Sequence, residues 1–244
     1  MAAIDLTRLK EAFSSQNVPI TDAQAAKFET YAELLYEWNE KINLTAITDP
    51  LGVERKHFLD SCLPLGMADA LAGGLSGPKV IDVGTGAGFP GLPWKIVRED
   101  ISLTLLDSLQ KRINFLHEVC AKTGIDASLV HARAEDAGQN KAMRERFDIA
   151  CARAVARLSV LCEYCLPFVK VGGVFAALKG PSASEEVNSA LAAVEKLGGK
   201  LEKCVEYELP AAQVEGRTLV LIRKIKPTPP IYPRSKAKMD KSPL

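Results

Sequence analysis

"VIDVGTGAGFPG", residues 80–91, decides how the rest of the chain is read. Two β-branched residues, Val80 and Ile81, run through Asp82 into four glycines, Gly84, Gly86, Gly88 and Gly91. A short apolar run that breaks into glycine is a strand entering a sharp turn, where the backbone lets something approach closely. Gly86-x-Gly88-x-x-Gly91 also spells the GxGxxG of dinucleotide folds. The ligand is therefore the question, and Asp82 bears on it.

Downstream of this turn, strand and helix patterns alternate. Strands are predicted at 79–83, 103–106, 127–131, 147–152 and 174–179, the second ending in Asp107. Helices are predicted at 91–98, 110–123, 158–168 and 184–197, and a polar turn at 133–136. Strands alternating with helices at this spacing call for a parallel sheet covered on both faces. Two last strands, 204–209 and 218–225, are joined too briefly for a helical crossover, so one of them must run antiparallel. Upstream, Leu6, Leu9, Phe13 and then Phe28, Tyr31, Leu34, Leu35, Trp38 recur at helical spacing. Thr21 to Gln24 reads as a helix cap. The polar stretch WNEKINLTAITDP (residues 38–50) reads as a connection stopped by Pro50, before a helix carrying His57 and Asp60 and interrupted by Pro64. The division expected is a helical extension at 1–75, a ligand-binding domain at 76–226 and a basic tail at 227–244.

Length and composition bound the class. The chain has 244 residues, 47% apolar and 25% charged, ordinary for a globular protein. No apolar stretch approaches the ~20 residues that span a bilayer, and the first residues lack a signal-peptide pattern. A cytoplasmic protein, without membrane contact and monomeric, is expected. Its six cysteines then read as buried thiols rather than disulfides. Cys162-x-x-Cys165 lies in an apolar segment with no second pair to complete a zinc site, so it reads as core and no metal is expected. The net charge of +1 is uneven: Arg223 to Leu244 holds seven basic residues and one acid, Asp240, which leaves the body at −5. Such a tail is either a solubilising end or a polyanion contact.

In an open parallel sheet the ligand sits beyond the carboxyl ends of the strands. A pyrophosphate would rest on the helix N-terminus after the turn, and a carboxylate at Asp82 would repel it. Pro90 removes an N–H that phosphate oxygens would use. Asp82 suits a cation, and S-adenosylmethionine carries an ammonium and a sulfonium but no phosphate. Asp107 is placed to accept from ribose hydroxyls. Ala134 and Glu135, after the third strand, face where an adenine would lie.

These residues resemble a known family. Residues 82–91 are similar to the cofactor turn of the small-subunit ribosomal RNA guanine-N7 methyltransferases, the glucose-inhibited division protein B family. Trp38–Thr45, His57–Ser61, Leu105–Ser108, Arg153-Ala154, Leu178–Gly180 and the closing Tyr232-Pro233-Arg234 resemble its other motifs, in order. Ala87 stands where relatives often have proline, and Ser235–Asp240 departs from their usual tail. The resemblance implies an α/β Rossmann-like class I S-adenosylmethionine-dependent methyltransferase, with a seven-stranded, mostly parallel sheet, helices on both faces and an N-terminal helical extension. It implies S-adenosylmethionine as cofactor and one guanine of 16S rRNA, in RNA or in the small ribosomal subunit, as substrate. Gly84, Phe89, Ala134-Glu135 and Arg153 then fall at cofactor-contacting or catalytic positions, beside Asp82, Gly86, Gly88 and Asp107 from the reading above.

The chemistry is consistent. Exocyclic amines need a polar acceptor turn after the fourth strand, and Ala150-Cys151-Ala152-Arg153-Ala154 stands there instead. Cys151 lacks a neighbouring base and reads as packing. Guanine N7 has a free lone pair and loses no proton, so positioning and electrostatics suffice. Arg153 is the expected catalytic residue. Arg133, Lys179, Arg217 and Arg234 are the expected RNA contacts, although Arg133 and Arg217 also read as solvated charges. Asn39, Lys41 and Asn43 read equally as a flap over the cofactor mouth or as an interhelix turn. His57 and Asp60 read as a local pair. The alternatives are an NAD(P)-dependent oxidoreductase, disfavoured by Asp82, and a non-catalytic RNA-binding module with a vestigial cofactor turn.

Overall fold

The computed structural model describes residues 3–181, 183–210 and 215–244. The chain begins with α1 (Leu6–Ser15), capped by Asp5, and α2 (Asp22–Asn39), which opens on a reciprocal Thr21/Gln24 capping box. The Asn39 side-chain oxygen then accepts from the N–H groups of Leu44 and Thr45, at 2.8 and 2.9 Å. That turns the chain between helices. Pro50 ends the connection, as expected, and opens the next helix: Asp49 caps it, and Pro50 is its first residue. At that position the missing N–H costs nothing. Three segments run on without a break: α3 (Pro50–Gly52), a π-helical stretch (Val53–Leu59) and α4 (Asp60–Cys62). Then α5 (Leu65–Ala72) ends at Gly73, in the left-handed region at φ 100°.

The α/β part follows: β1 (Lys79–Val83), α6 (Gly91–Val97), β2 (Ser102–Asp107), α7 (Gln110–Thr123), β3 (Ala127–His131), α8 (Ala134–Gln139), β4 (Phe147–Arg153) and α9 (Leu158–Cys165). It continues with β5 (Val169–Lys179), α10 (Ser184–Lys196), β6 (Gly199–Leu209) and β7 (Glu215–Lys224), and ends in α11 (Lys236–Lys241). The seven strands are ordered β3-β2-β1-β4-β5-β7-β6. The first five are parallel, and β7 runs antiparallel to both β5 and β6. Residues 134–136, expected as a turn, are the first turn of α8.

Each face of the sheet buries its own apolar layer. One takes Leu9, Phe13, Phe28, Tyr31 and Phe58 from the N-terminal helices together with Leu92 and Phe115. The opposite face takes α9, α10 and, from the C-terminal segment, Tyr232 and Met239. The boundaries near 75 and 227 therefore follow the chain but not the core. The tail is docked: Arg144 donates to the carbonyls of Thr228, Pro229 and Tyr232, and Gln139 to those of Pro230 and Pro233. Of the six cysteines, Cys204 is exposed and Cys120 half-buried, which corrects the expectation that all are core; Cys62, Cys151, Cys162 and Cys165 are buried. Among the described residues no helix is long and apolar enough to cross a membrane.

Phe28 is fully buried, with rings of Phe13 and Phe58 at 5.5 and 4.7 Å. Phe28→Ala is expected to cost about 3–5 kcal/mol, read by urea unfolding as a single transition at a lower midpoint. A separate early transition for the N-terminal helices would contradict the shared core.

Candidate active site

A cleft of about 570 Å³ opens at the carboxyl ends of β1, β2, β3 and β4, a size that suits a nucleoside-bearing ligand. Its floor is the glycine turn. Gly84 and Gly86 line it, with φ of 72° and 61°, backbone that a side chain adopts only with strain. Gly88, expected to touch a ligand, does not line the cleft. A Cβ there would meet Leu92 and the Tyr31 hydroxyl, both at 2.6 Å, so its glycine is demanded by packing from below.

Asp82 also lies beneath the turn rather than in the cleft. It is fully buried, and its Oδ2 accepts from the Thr85 hydroxyl (2.7 Å) and the Gly91 N–H (2.9 Å). Its expected place among the cofactor-contacting residues is thus corrected: this carboxylate builds the turn. Its Oδ1 is buried and has no hydrogen-bond partner. Burial pushes the carboxyl up to about 6, against the opposing effect of the Thr85 and Gly91 hydrogen bonds.

Asp107 does line the cleft, at the end of β2. It accepts from Gly86 N–H, Leu109 N–H and Arg112, at 2.9, 2.9 and 3.3 Å. A carboxylate has about four acceptor sites, so roughly one remains for a ribose hydroxyl, not the pair expected. Ala134, Glu135 and the exposed Arg133 line the next wall.

Arg153 closes the far end. Its guanidinium lies 4.8 Å above the Phe89 ring and donates to the Lys56 carbonyl (3.0 Å), Ser61 Oγ (3.3 Å) and His57 Nδ1 (3.2 Å). The Asp60 carboxylate stands 3.6 Å away. Because Arg153 can only donate, His57 Nδ1 is an acceptor, and Nε2 carries the proton toward Thr45 Oγ1 at 2.7 Å. The His57 ring stacks on Phe89 at 4.5 Å. Burial first, then Arg153, pull its pKa down to about 3. His57 and Asp60 are therefore not a mutual pair: both serve Arg153, which the i,i+3 spacing alone did not reveal. Next in sequence, Ala154 sits in the left-handed region at φ 55°, a strained conformation for a non-glycine residue.

Beyond Arg153 a second cleft, of about 330 Å³, is lined by Lys56, Asp60, Lys179, Tyr207 and Arg217 as well as Arg153 itself. The structure thus brings Lys179 and Arg217 to one rim with Arg153, whereas Arg133 lines the first cleft. Lys179 and Arg217 are also engaged within the fold. Arg217 Nε donates to Asp60 Oδ2 (3.1 Å), whose Oδ1 accepts from the Tyr207 hydroxyl (3.1 Å). Lys179 bridges the Ala156 carbonyl and Glu186. Arg234 is elsewhere, with its Nε and Nη2 on the two oxygens of the buried Glu163, at 2.8 and 2.7 Å. Its expected RNA contact is replaced by a clamp on the tail. Lys41 pairs with Glu37 beside Trp38, and only Leu44 of that segment reaches the cleft. The cleft also takes Tyr164, Lys236 and Asp240, which no motif in the sequence marked. Among the described residues no group of three His, Cys, Asp or Glu side chains is placed to hold a metal ion.

Solved structures share this architecture. The S-adenosylmethionine-dependent O-methyltransferase of Thermotoga maritima aligns with a TM-score of 0.50 at 15% identity, over 80% of this chain and 72% of that one. A precorrin-6y C5,15-methyltransferase from Geobacter metallireducens aligns at 0.50 and 12%, over 75% and 91%. The fold is the Rossmann-like one of those methyltransferases. The family described as rRNA small subunit methyltransferase G matches residues 24–214. Ribosomal RNA small subunit methyltransferase G of Clostridium perfringens is 48% identical over 237 residues, 97% of each chain. That of Symbiobacterium thermophilum is 51% identical over 242 residues, 97% of this chain and 96% of the relative. The chain belongs to the rRNA small subunit methyltransferase G family.

The residues present fit S-adenosylmethionine. The turn that would cradle it rests on a buried carboxylate with one oxygen unpartnered, an arrangement relieved by positive charge above it and worsened by phosphate. A Cβ at Gly86 would have only the Gly84 carbonyl oxygen within reach, at 4.0 Å, so the backbone there stands open to a ligand.

The Asp82 shift sets a pH test. A carboxyl whose folded pKa is raised from 3.8 to about 6 binds more protons folded than unfolded between those values, so it subtracts stability as pH rises through that window. Asp82→Asn removes this effect. Stability of Asp82→Asn relative to the parent is expected to climb by about 2 kcal/mol from pH 4 to pH 7, read from urea midpoints. A constant difference would show that Asp82 titrates normally.

Proposed function

We propose that the chain methylates N7 of a guanine in 16S rRNA, with Arg153 as its catalytic residue. The observation that carries this reading is the absence of an available base, among the described residues, at the reacting end of the cleft. His57 is neutral, its Nδ1 occupied by Arg153 and its proton directed to Thr45. Cys151 is buried within β4, and burial raises its thiol well above the usual range, so it offers no thiolate. Asp60 is occupied by Arg217 and Tyr207. A nucleophile that must lose a proton has no acceptor here. Guanine N7 needs none.

S-adenosylmethionine, when bound, supplies an electrophilic methyl on a sulfonium. The chain's own residues do the rest. Gly84 and Gly86 let the backbone approach, Asp107 takes a ribose hydroxyl, and Ala134 with Glu135 borders the adenine. Phe89 and Arg153 bound the reacting end. Arg153 stands between the two clefts, so a base entering from the second one meets its guanidinium. Lys56, Lys179 and Arg217 on that side give the cationic rim an RNA phosphate seeks. A base lifted out of its stack would occupy that cleft. N7 must stay free for attack, which rules out the common arginine fork on O6 and N7; contact to O6 alone is compatible.

The reading is tested by mapping N7-methylguanosine in 16S rRNA, through borohydride–aniline cleavage, with and without the gene. One signal is expected to vanish. Loss of a methyl on a base amine or carbon, or loss of none, would overturn it.

Arg153→Ala is expected to lower turnover by about 10²–10³, the scale of a lost charge-stabilising donor, while Cys151→Ala stays within about twofold of the parent. Both are read with radiolabelled S-adenosylmethionine on small-subunit RNA. The opposite ranking would move catalysis to the thiol.

A further inference from the structure

The C-terminal segment sorts its side chains onto three sides. Met239 is fully buried against the sheet, and Lys238 and Lys241 face solvent. Lys236 and Asp240, one helical turn apart and 2.5 Å from each other, line the cofactor cleft with Glu135 and Tyr164.

The anchors of the segment are built, not incidental. Glu163 is a buried carboxylate whose oxygens take the Arg234 backbone N–H, Nε and Nη2. Such a bidentate pair is strong and geometrically exact in its demands. The other anchors lie on or just after α8, the helix that begins with Ala134 and Glu135. Gln139 holds the Pro230 and Pro233 carbonyls. Gly138 lies so close to the strap that a Cβ would stand 2.9 Å from the Pro233 ring. The strap and the adenine-side wall therefore dock on one short helix.

We infer that this strap is the outer wall of the cofactor site and that Lys236 and Asp240 contact the cofactor's adenosine end. The inference rests on the cofactor reading above. An adenine edge presents an amino donor next to ring-nitrogen acceptors, and a carboxylate paired with an ammonium matches both. The basic tail thus acts on the cofactor before it acts on RNA. Linkage makes the relation reciprocal: a docked strap tightens the cofactor by the factor by which the cofactor tightens the strap.

Three variants of the full chain test it, titrated calorimetrically with S-adenosylhomocysteine in the absence of RNA. Arg234→Gln removes the electrostatic anchor and Gly138→Ala pushes on Pro233, neither touching the cleft. Lys236→Ala with Asp240→Ala alters an exposed pair and leaves the anchors in place. Each is expected to weaken binding about fivefold or more. In the parent, ligand is expected to slow amide exchange over 235–242, and that protection is expected to be lost in Arg234→Gln. If exchange shows the strap released while affinity holds, or if the double variant binds like the parent, the strap is no part of the site. Failure of the parent itself to bind would overturn the cofactor reading, and the strap's role with it.

Discussion

The constraint on which the rest depends is the placement of one guanidinium at the junction of two clefts. Arg153 leaves β4 with its charge surrounded by protein, and burial acts to pull its pKa down while Asp60 opposes. Guanidinium stays charged under such pressure where an ammonium would yield. Holding it takes partners on several sides. The Lys56 carbonyl, His57 Nδ1, Ser61 Oγ and Asp60 all come from the helical run at 50–62. The π-helical stretch Val53–Leu59 is what swings them round together, and such widened turns recur where function needs a local distortion. Phe89 supplies the last side, fixed between Tyr31 and His57 at 5.4 and 4.5 Å. The N-terminal helices are therefore not an ornament on a catalytic domain. They hold the two rings, Phe89 and His57, that Arg153 meets.

That dependence explains which parts of the molecule were legible in the sequence. The strands were, because parallel strands buried on both faces read as short apolar runs. The break from strand into glycine located the cleft for the same local reason. What failed was anything set by a distant partner. Gly88 and Gly86 look alike, yet Tyr31, far back in the chain, makes one a packing glycine. His57 and Asp60 at i,i+3 suggest a pair, and only the fold shows that both turn toward a residue nearly a hundred positions on.

Charge counting failed in a related way. Seven basic residues near the end of the chain read as a polyanion contact or a solubilising tail. Lys224 is in fact buried on the carbonyls of Leu166 and Val169, the Thr228 hydroxyl and Glu145, and burial brings its pKa down to about 8. Arg223 is spent on the Leu71 carbonyl and Glu202, and Arg234 on Glu163. Counting formal charges therefore overstates the tail's pull on RNA, because how far each charge is already offset by a partner is a tertiary property.

Asp82 shows how such internal use can still select a ligand. In the sequence the carboxylate suits a cation; in the fold it is the keystone of the turn, bound to Thr85 and Gly91. The two roles share one electrostatic consequence. An acid buried beneath the loop, with Oδ1 unpartnered and its pKa raised, is held in its charged form at a cost. Any charge seated on the other side of a single layer of backbone acts on it across a short, poorly screened distance. A sulfonium and an ammonium lower that cost; a pyrophosphate adds to it. The choice of cofactor is thus written into the buried charge beneath the turn rather than into a contact, because the group that makes the turn possible is also the group that a phosphate would repel.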